Sequence, residues 1–238
     1  MKKIEKFKIN VFADGANIND FKILKKNKNI NGFTTNPSLM RAAGVKNYVG
    51  FAKQVLKLIK KKPVSFEIFA DDKKNIEKQA NLISTWGKNV YVKIPIINTK
   101  NKFNDDLIGR LNNKGVKVNV TAVFTVEQTK KLLKKIGKKT DIIISIFAGR
   151  IADSGVDPVI ELKKHVKLCK KYKNVKILWA SVREPFNLIQ ANDCGCHIIT
   201  IPPKILNKLK IFGKDLNSYS QETVKDFYLD AKASRYKI

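Results

Sequence analysis

Val90-Tyr91-Val92-Lys93-Ile94-Pro95 is a short apolar, β-rich run that holds a single cation and stops at a proline. Proline cannot donate to a sheet ladder and biases its predecessor toward extended geometry, so the run reads as a strand with a defined end. Seven runs of the same kind predict further strands at 9–13, 30–34, 64–68, 116–120, 142–147, 175–180 and 197–201. Lys-rich stretches with helical spacing lie between them. One covers 46–60, and another covers 72–86 with acidic residues in its first turn. A third opens at Thr125, with Gln128 placed for a capping box. A fourth runs from Asp157-Pro158 to about 171, with proline at its first helical position. Ser220 caps a last helix.

Eight strands alternating with helices predict an α/β fold, a single (β/α)8 TIM barrel over residues 1–238 with a C-terminal helical extension at 220–234. A length of 238 residues suits one barrel, since such domains often run from ~200 to 250. Neither G-x-G-x-x-G nor a Walker A pattern follows any strand, which counts against a nucleotide-binding sheet.

Lys and Arg total 48 against 20 acidic residues, a formal charge of +28. That charge raises the reading of a nucleic-acid or surface-binding protein. Its distribution argues against specific recognition. The excess is nearly all lysine, in stretches such as 53–62, 130–139 and 163–173, which read as solvated helix faces. Arginine, the better bidentate reader of phosphates and bases, is scarce, and no aromatic-interleaved single-strand module is present. The expectation is no specific nucleic acid, with non-specific attraction at low salt and steering of anionic substrates.

No apolar run approaches ~18 residues, so no membrane span is expected. The basic start, Met1 to Lys8, lacks an apolar core and a small-residue cleavage site and does not read as a signal peptide. The expected compartment is the cytoplasm. Three cysteines give no disulfide framework. Cys194-Gly195-Cys196-His197 lacks the spacing and second ligand pair of a tetrahedral zinc site, so packing is the better reading and no metal is expected.

In a barrel, chemistry sits at the C-terminal ends of several strands at once. Those ends supply Asp14 and Asn17, Thr34-Thr35-Asn36, Glu67, Lys93, Asn119 and Thr121, then Ser145, Phe147, Arg150, Ser181 and Arg183. Lys93 shares its face with Tyr91. Alone, it is equally a lysine that snorkels outward past its neighbours. Facing the mouth, it is expected to be desolvated and nucleophilic toward a carbonyl, the requirement for Schiff-base chemistry. Such chemistry also needs a proton shuttle. Glu67 is the carboxylate within its strand, though a surface strand glutamate remains an open reading. Thr121 can relay a proton through a water held by Glu67. Asn119 can orient a sugar hydroxyl, and Asp14 is the second candidate acid or base, with Gly15 giving room for substrate. Ser181-Val182-Arg183, just ahead of a helix, and Arg150 are candidate phosphate ligands.

The ordered set of motifs resembles the transaldolase family, and its short-chain branch, which also holds the fructose-6-phosphate aldolases. Gly32-Phe33-Thr34-Thr35-Asn36-Pro37-Ser38-Leu39 and Val92-Lys93-Ile94-Pro95 carry the resemblance first. Asn119-Val120-Thr121, Phe147-Ala148-Gly149-Arg150-Ile151-Ala152-Asp153, Ala180-Ser181-Val182-Arg183 and Thr200-Ile201-Pro202-Pro203 extend it along almost the whole chain. The resemblance implies that Lys93 forms an imine, that Asp14 is the acid/base for carbon–carbon cleavage, and that Glu67 and Thr121 hold the catalytic water. It implies that Asn36 and Asn119 contact the dihydroxyacetone unit, with Ser145 a further contact alongside Asn17 and Thr34, and that Arg150, Ser181 and Arg183 bind phosphate. The implied reaction moves dihydroxyacetone from a ketose phosphate to an aldose phosphate, as in the pentose phosphate pathway, without metal or diffusible cofactor. A homo-oligomer, pentamer or decamer, is implied, with the C-terminal helix exchanged between subunits.

Two positions bear on a rival within the family, an aldolase that releases free dihydroxyacetone. Aldolase-type sites resemble each other in having Gln at the position of Glu67 and Tyr at that of Phe147; this chain has the transaldolase pair. The residue alone leaves Phe147 open as barrel packing. The first strand departs from relatives in reading Asp14-Gly15-Ala16-Asn17, without a hydroxyl residue after the aspartate.

Overall fold

The computed structural model describes residues 7–237. Eight parallel strands close into a barrel in sequential order, each hydrogen-bonded to the next and the last to the first. They are β1 (Asn10–Asp14), β2 (Ile30–Thr34), β3 (Val64–Glu67), β4 (Val90–Pro95), β5 (Val118–Val123), β6 (Ile142–Ile146), β7 (Val175–Trp179) and β8 (Ile198–Ile201). The outer layer comprises α1 (Ile18–Leu24), α2 (Pro37–Ala42), α3 (Tyr48–Leu58), α4 (Lys73–Ser84), α5 (Asp105–Asn113), α6 (Val126–Leu133), α7 (Ala148–Asp153), α8 (Pro158–Cys169), α9 (Asn187–Asp193) and α10 (Pro203–Lys208). A final helix, α11 (Leu216–Ser234), follows the barrel. The expected (β/α)8 class is therefore the observed one.

Strand alternation sorts the side chains into two cores. Residues such as Val64, Phe66, Val92, Ile94, Val118, Val120, Ile142 and Ile144 face the helices and are fully buried in the larger apolar cluster. Phe12, Ile143, Leu178, Ala180 and Ile198 form a separate cluster with Tyr91 and Phe147, which fills the barrel axis. Gly32 is required by that filling: a Cβ there would lie 2.6 Å from the Phe12 ring. The inward positions one pleat further toward the strand ends are Asp14, Thr34, Glu67, Lys93, Thr121, Ser145 and Thr200. The period-two alternation thus places a polar layer on top of an apolar plug.

Several boundaries differ from the sequence reading. Val116 belongs to the turn after α5, where Gly115 has φ 93° and the Val116 N–H bonds to the Leu111 carbonyl, so β5 starts later and runs through Thr121. Phe147 leaves the sheet and sits at the N-cap of α7. Asp72 is the N-cap of α4, accepting from the Asn75 N–H, and its first turn has no acid. The last helix begins earlier than Ser220, because Asp215 takes the Ser218 N–H as cap. The lysine stretches 53–62, 130–139 and 163–173 are only partly helical, since α3, α6 and α8 end at Leu58, Leu133 and Cys169. The Thr125–Gln128 capping box and the proline at the start of α8 are present as expected. Of the basic start Met1 to Lys8, read as no signal peptide, residues 1–6 lie outside the described residues.

Among the described residues no helix is long and apolar enough to cross a membrane. Cys194 and Cys196 are buried with their sulfurs 3.5 Å apart. His197 turns elsewhere, accepting the Ile177 N–H at Nδ1 over 3.0 Å.

Candidate active site

The strand ends surround a cavity of about 490 Å³ at the barrel mouth. Asp14, Thr34, Asn36, Glu67, Lys93, Thr121, Ser145, Phe147, Arg150, Ser181 and Arg183 all line it, joined by Thr200. Eleven of the thirteen residues expected from sequence are therefore brought together, and the other two, Asn17 and Asn119, are not in its wall.

Lys93 faces inward and is 7% exposed, which excludes the outward-snorkelling reading. The β3–β4 register sets Glu67 beside it, and Nζ lies 3.0 Å from the Glu67 carboxylate. Nζ also donates to the Thr35 carbonyl at 3.2 Å. The ammonium thus arrives in the barrel with a carboxylate partner, as a desolvated cation requires. Glu67 is no surface glutamate; Tyr48 Oη anchors its strand end by donating to the Glu67 carbonyl at 2.7 Å.

Asp14 lies across the mouth. Burial pushes its carboxyl above the usual range, against the opposing pull of the Lys93 charge and a hydrogen bond from Thr34 Oγ1 at 2.8 Å; the Glu67 charge adds to the rise. Thr34 Oγ1 is shared with Thr200 Oγ1, so Asp14, Thr34 and Thr200 form one chain of hydroxyl contacts. Thr200 has no counterpart in the sequence-derived site. Its signal was available: it stands two residues after Ile198, on the same inward face of a strand otherwise made of isoleucine.

Thr121 Oγ1 is buried in the cavity wall without a protein hydrogen-bond partner among the described residues. It keeps the inward side that alternation gives two residues after Asn119, and just beyond it the β5–β6 ladder is irregular between Val120 and Val123, where Ala122 takes φ 54°. Bulges of this kind occur at barrel rims beside sites and re-aim side chains. An alanine in that conformation carries no local sequence signal.

Asn119 is one layer deeper. Its Nδ2 donates to Ser65 Oγ at 3.0 Å and its Oδ1 accepts from Ser145 Oγ at 2.7 Å, so both ends of the amide are engaged within the barrel. Asn17 caps α1, accepting the Asn19 N–H at 2.8 Å. Asn36 caps α2 through Oδ1, which accepts the Leu39 N–H at 2.9 Å and leaves its NH2 for the cavity.

Positive charge gathers on the β6–β7 side. Arg150 lines the cavity next to Phe147, 5.9 Å from its ring, and forms no ion pair among the described residues. Arg183 also lines the cavity, but its guanidinium is paired with Asp153. Ser181 is held at φ 64°, a left-handed conformation that non-glycine residues rarely adopt and that clusters at functional sites. The helix N-terminus expected behind Ser181 is not open to an anion: the N–H groups of Asn187 and Leu188, first in α9, donate to the Glu184 and Pro185 carbonyls at 3.2 and 3.1 Å, and those of Arg183 and Glu184 before it donate to Asn187 Oδ1 at 2.9 and 3.2 Å. Gly15 likewise does not open the cavity, since a Cβ there would point at Pro203 at an ordinary 3.8 Å.

A buried primary amine, two carboxylates, several hydroxyls and two guanidiniums around one cavity suit a small phosphorylated carbonyl compound. Among the described residues no group of three or more His, Cys, Asp and Glu could hold a metal ion.

The family model described as Transaldolase/Fructose-6-phosphate aldolase matches residues 11–238. A "Probable transaldolase" of Dehalococcoides mccartyi is 34% identical over 200 residues, covering 84% of this chain and 89% of that protein. A "Probable transaldolase 2" of Listeria monocytogenes is 30% identical over 222 residues, covering 89% and 97%. Among solved structures, 2,3-dimethylmalate lyase, of the PEP mutase/isocitrate lyase superfamily, superposes with a TM-score of 0.55. It covers 98% of this chain and 96% of that chain at 12% identity, a likeness of fold alone.

Proposed function

The chain belongs to the transaldolase/fructose-6-phosphate aldolase family, and within it we propose a transaldolase that carries a dihydroxyacetone unit on Lys93. The observation that carries the proposal is the buried Lys93 amine at the barrel mouth, 3.0 Å from Glu67 and within electrostatic reach of the half-buried Asp14.

Lys93 gives up a proton, for which the Glu67 carboxylate is the adjacent acceptor, and attacks the C2 carbonyl of a ketose phosphate. The carbinolamine loses water to leave an iminium, the water forming from the former carbonyl oxygen with protons returned through Glu67 and Thr121. Asp14, as carboxylate, then takes the C4 hydroxyl proton while the C3–C4 bond breaks. The aldose phosphate departs, and the bonding electrons move into the iminium to give an enamine. The electrostatics of Asp14 suit this sequence. Its proton affinity is already raised by burial and restrained by the Lys93 cation. Enamine formation removes that cation, so Asp14 holds its proton until an acceptor aldehyde arrives and becomes an alcohol. Arg150, with Ser181 and Arg183, binds the phosphate; Asn36, Ser145 and Thr34 line the sugar's path, and Asn119 supports Ser145 from below.

Phe147 favours transfer over release. Release requires protonation of the enamine carbon, and a phenyl ring offers no acid beside the cavity. The proposed donors are sedoheptulose 7-phosphate or fructose 6-phosphate, and the acceptors glyceraldehyde 3-phosphate or erythrose 4-phosphate. The test measures free dihydroxyacetone from fructose 6-phosphate, with and without erythrose 4-phosphate. Transfer should exceed release by at least about tenfold, roughly 1.4 kcal/mol of barrier. Phe147→Tyr should raise release. Parent release at the rate of transfer would make the chain an aldolase.

A further inference from the structure

The lysine excess is not spread evenly over the barrel. Seven connections lead from a helix into the next strand at the N-terminal face: 25–29, 59–63, 85–89, 114–117, 134–141, 170–174 and 194–197. Together they hold 16 lysines and one acid, Asp141. The eight connections leading out of the strands at the mouth hold Lys100, Lys102 and Arg183 against Asp71, Asp72 and Glu184, a net charge of zero. A bias toward lysine throughout the chain would load both faces alike.

Helix C-termini favour a cation in the last turn. That effect fades within a turn, whereas Lys60, Lys61 and Lys62 lie past the end of α3 and Lys138 and Lys139 well past α6. Of the 16, only Lys114 and Lys135 enter an ion pair among the described residues, with Glu77 and Asp106. The face is also shaped. Lys60, Lys61, Lys88 and Lys117 surround a concavity of about 330 Å³ with Tyr91 in its wall.

We propose that the N-terminal face of the barrel binds nucleic acid through its phosphate backbone, without reading bases. Single ammonium groups on flexible stems suit phosphate charge and not base edges, and no arginine lies in these connections. A lipid surface fits less well, because none of the large exposed apolar side chains lies in the seven connections to insert into a bilayer. The surface is at the opposite end of the barrel from the cavity and does not depend on the reaction assigned to it.

The test is fluorescence anisotropy of a labelled single-stranded RNA of about 20 nucleotides, at about 50 and 200 mM salt. The parent should bind at low salt and weaken steeply as salt rises. Lys26, Lys60, Lys61 and Lys88, all changed to Gln together, should weaken binding at least about tenfold at the lower salt. The same change should reduce the log–log salt slope by roughly 3, at ~0.7 for each phosphate no longer neutralised. Changing Lys74, Lys78, Lys100 and Lys102 to Gln removes the same charge toward the mouth and should cost less than about threefold. Circular dichroism melts confirm that both variants fold. Equal losses in the two variants would reduce the effect to net charge and overturn the proposal. So would a parent that fails to bind at low salt, or one captured by phosphatidylserine vesicles at salt where RNA is released.

Discussion

A Cβ placed on Gly149 would lie 1.7 Å from the carbonyl oxygen of Ser181. The start of α7 is pressed against the end of β7, with the Gly149 N–H donating to the Ala180 carbonyl at 3.4 Å. Arg150 and Ser181, the two sides of the proposed phosphate site, are held together by that approach. Gly149→Ala must push backbone from backbone, which is expected to cost about 1–3 kcal/mol, as overpacking does. A melt should fall by about 2–10 °C, and KM for sugar phosphates should rise more than kcat falls. An unchanged KM would separate this approach from phosphate binding.

Asp14 gives a pH signature. Its folded-state carboxyl is raised by burial, so its favourable contribution to stability is complete below the ordinary carboxylate range and is lost as pH rises through the raised value. Asp14→Asn removes the ionisation. The variant should melt on the order of a few °C above the parent at pH 8 and match it near pH 4, while losing turnover. A difference that does not grow with pH would contradict the burial argument.

The C-terminal helix α11 has no buried residue, and Leu216, Phe227 and Tyr228 are 80%, 68% and 65% exposed. Apolar surface of that kind marks an interaction site. We propose that α11 packs on a neighbouring copy in a homo-oligomer. Light scattering after size exclusion should give a multiple of the 27.0 kDa chain mass. Removing 216–238 should lower that multiple, and a monomeric parent at micromolar concentration would contradict the proposal.

The barrel was legible because parallel strands packed on both faces read as short apolar runs, and because polar residues break those runs with period two. That rule put Glu67, Lys93 and Thr121 near strand ends but left Glu67 and Lys93 free to face outward, a choice decided by the β3–β4 pairing that buries them side by side. Asn119 and Arg183 were less legible for a physical reason. Their partners, Ser65 and Asp153, are 54 and 30 residues away, and no local pattern shows that an amide or a guanidinium is already engaged. Thr200 stood on the inward face of an isoleucine strand by alternation, but its contact with Thr34, on the other side of β1, shows only once the barrel closes. The lysine-rich face required strand direction, because the runs become one surface only when every helix-to-strand turn is known to lie at the same end.

The central claim is that Lys93 forms an imine with a ketose phosphate. The measurement is borohydride reduction of the chain in the presence of fructose 6-phosphate, read by intact mass and peptide mapping. The expected result is one reduced adduct per chain, on Lys93, absent from Lys93→Met, which keeps its melt but loses turnover by at least about a thousandfold, roughly 4 kcal/mol. An unmodified chain, or an adduct spread over surface lysines and undiminished in Lys93→Met, would contradict it.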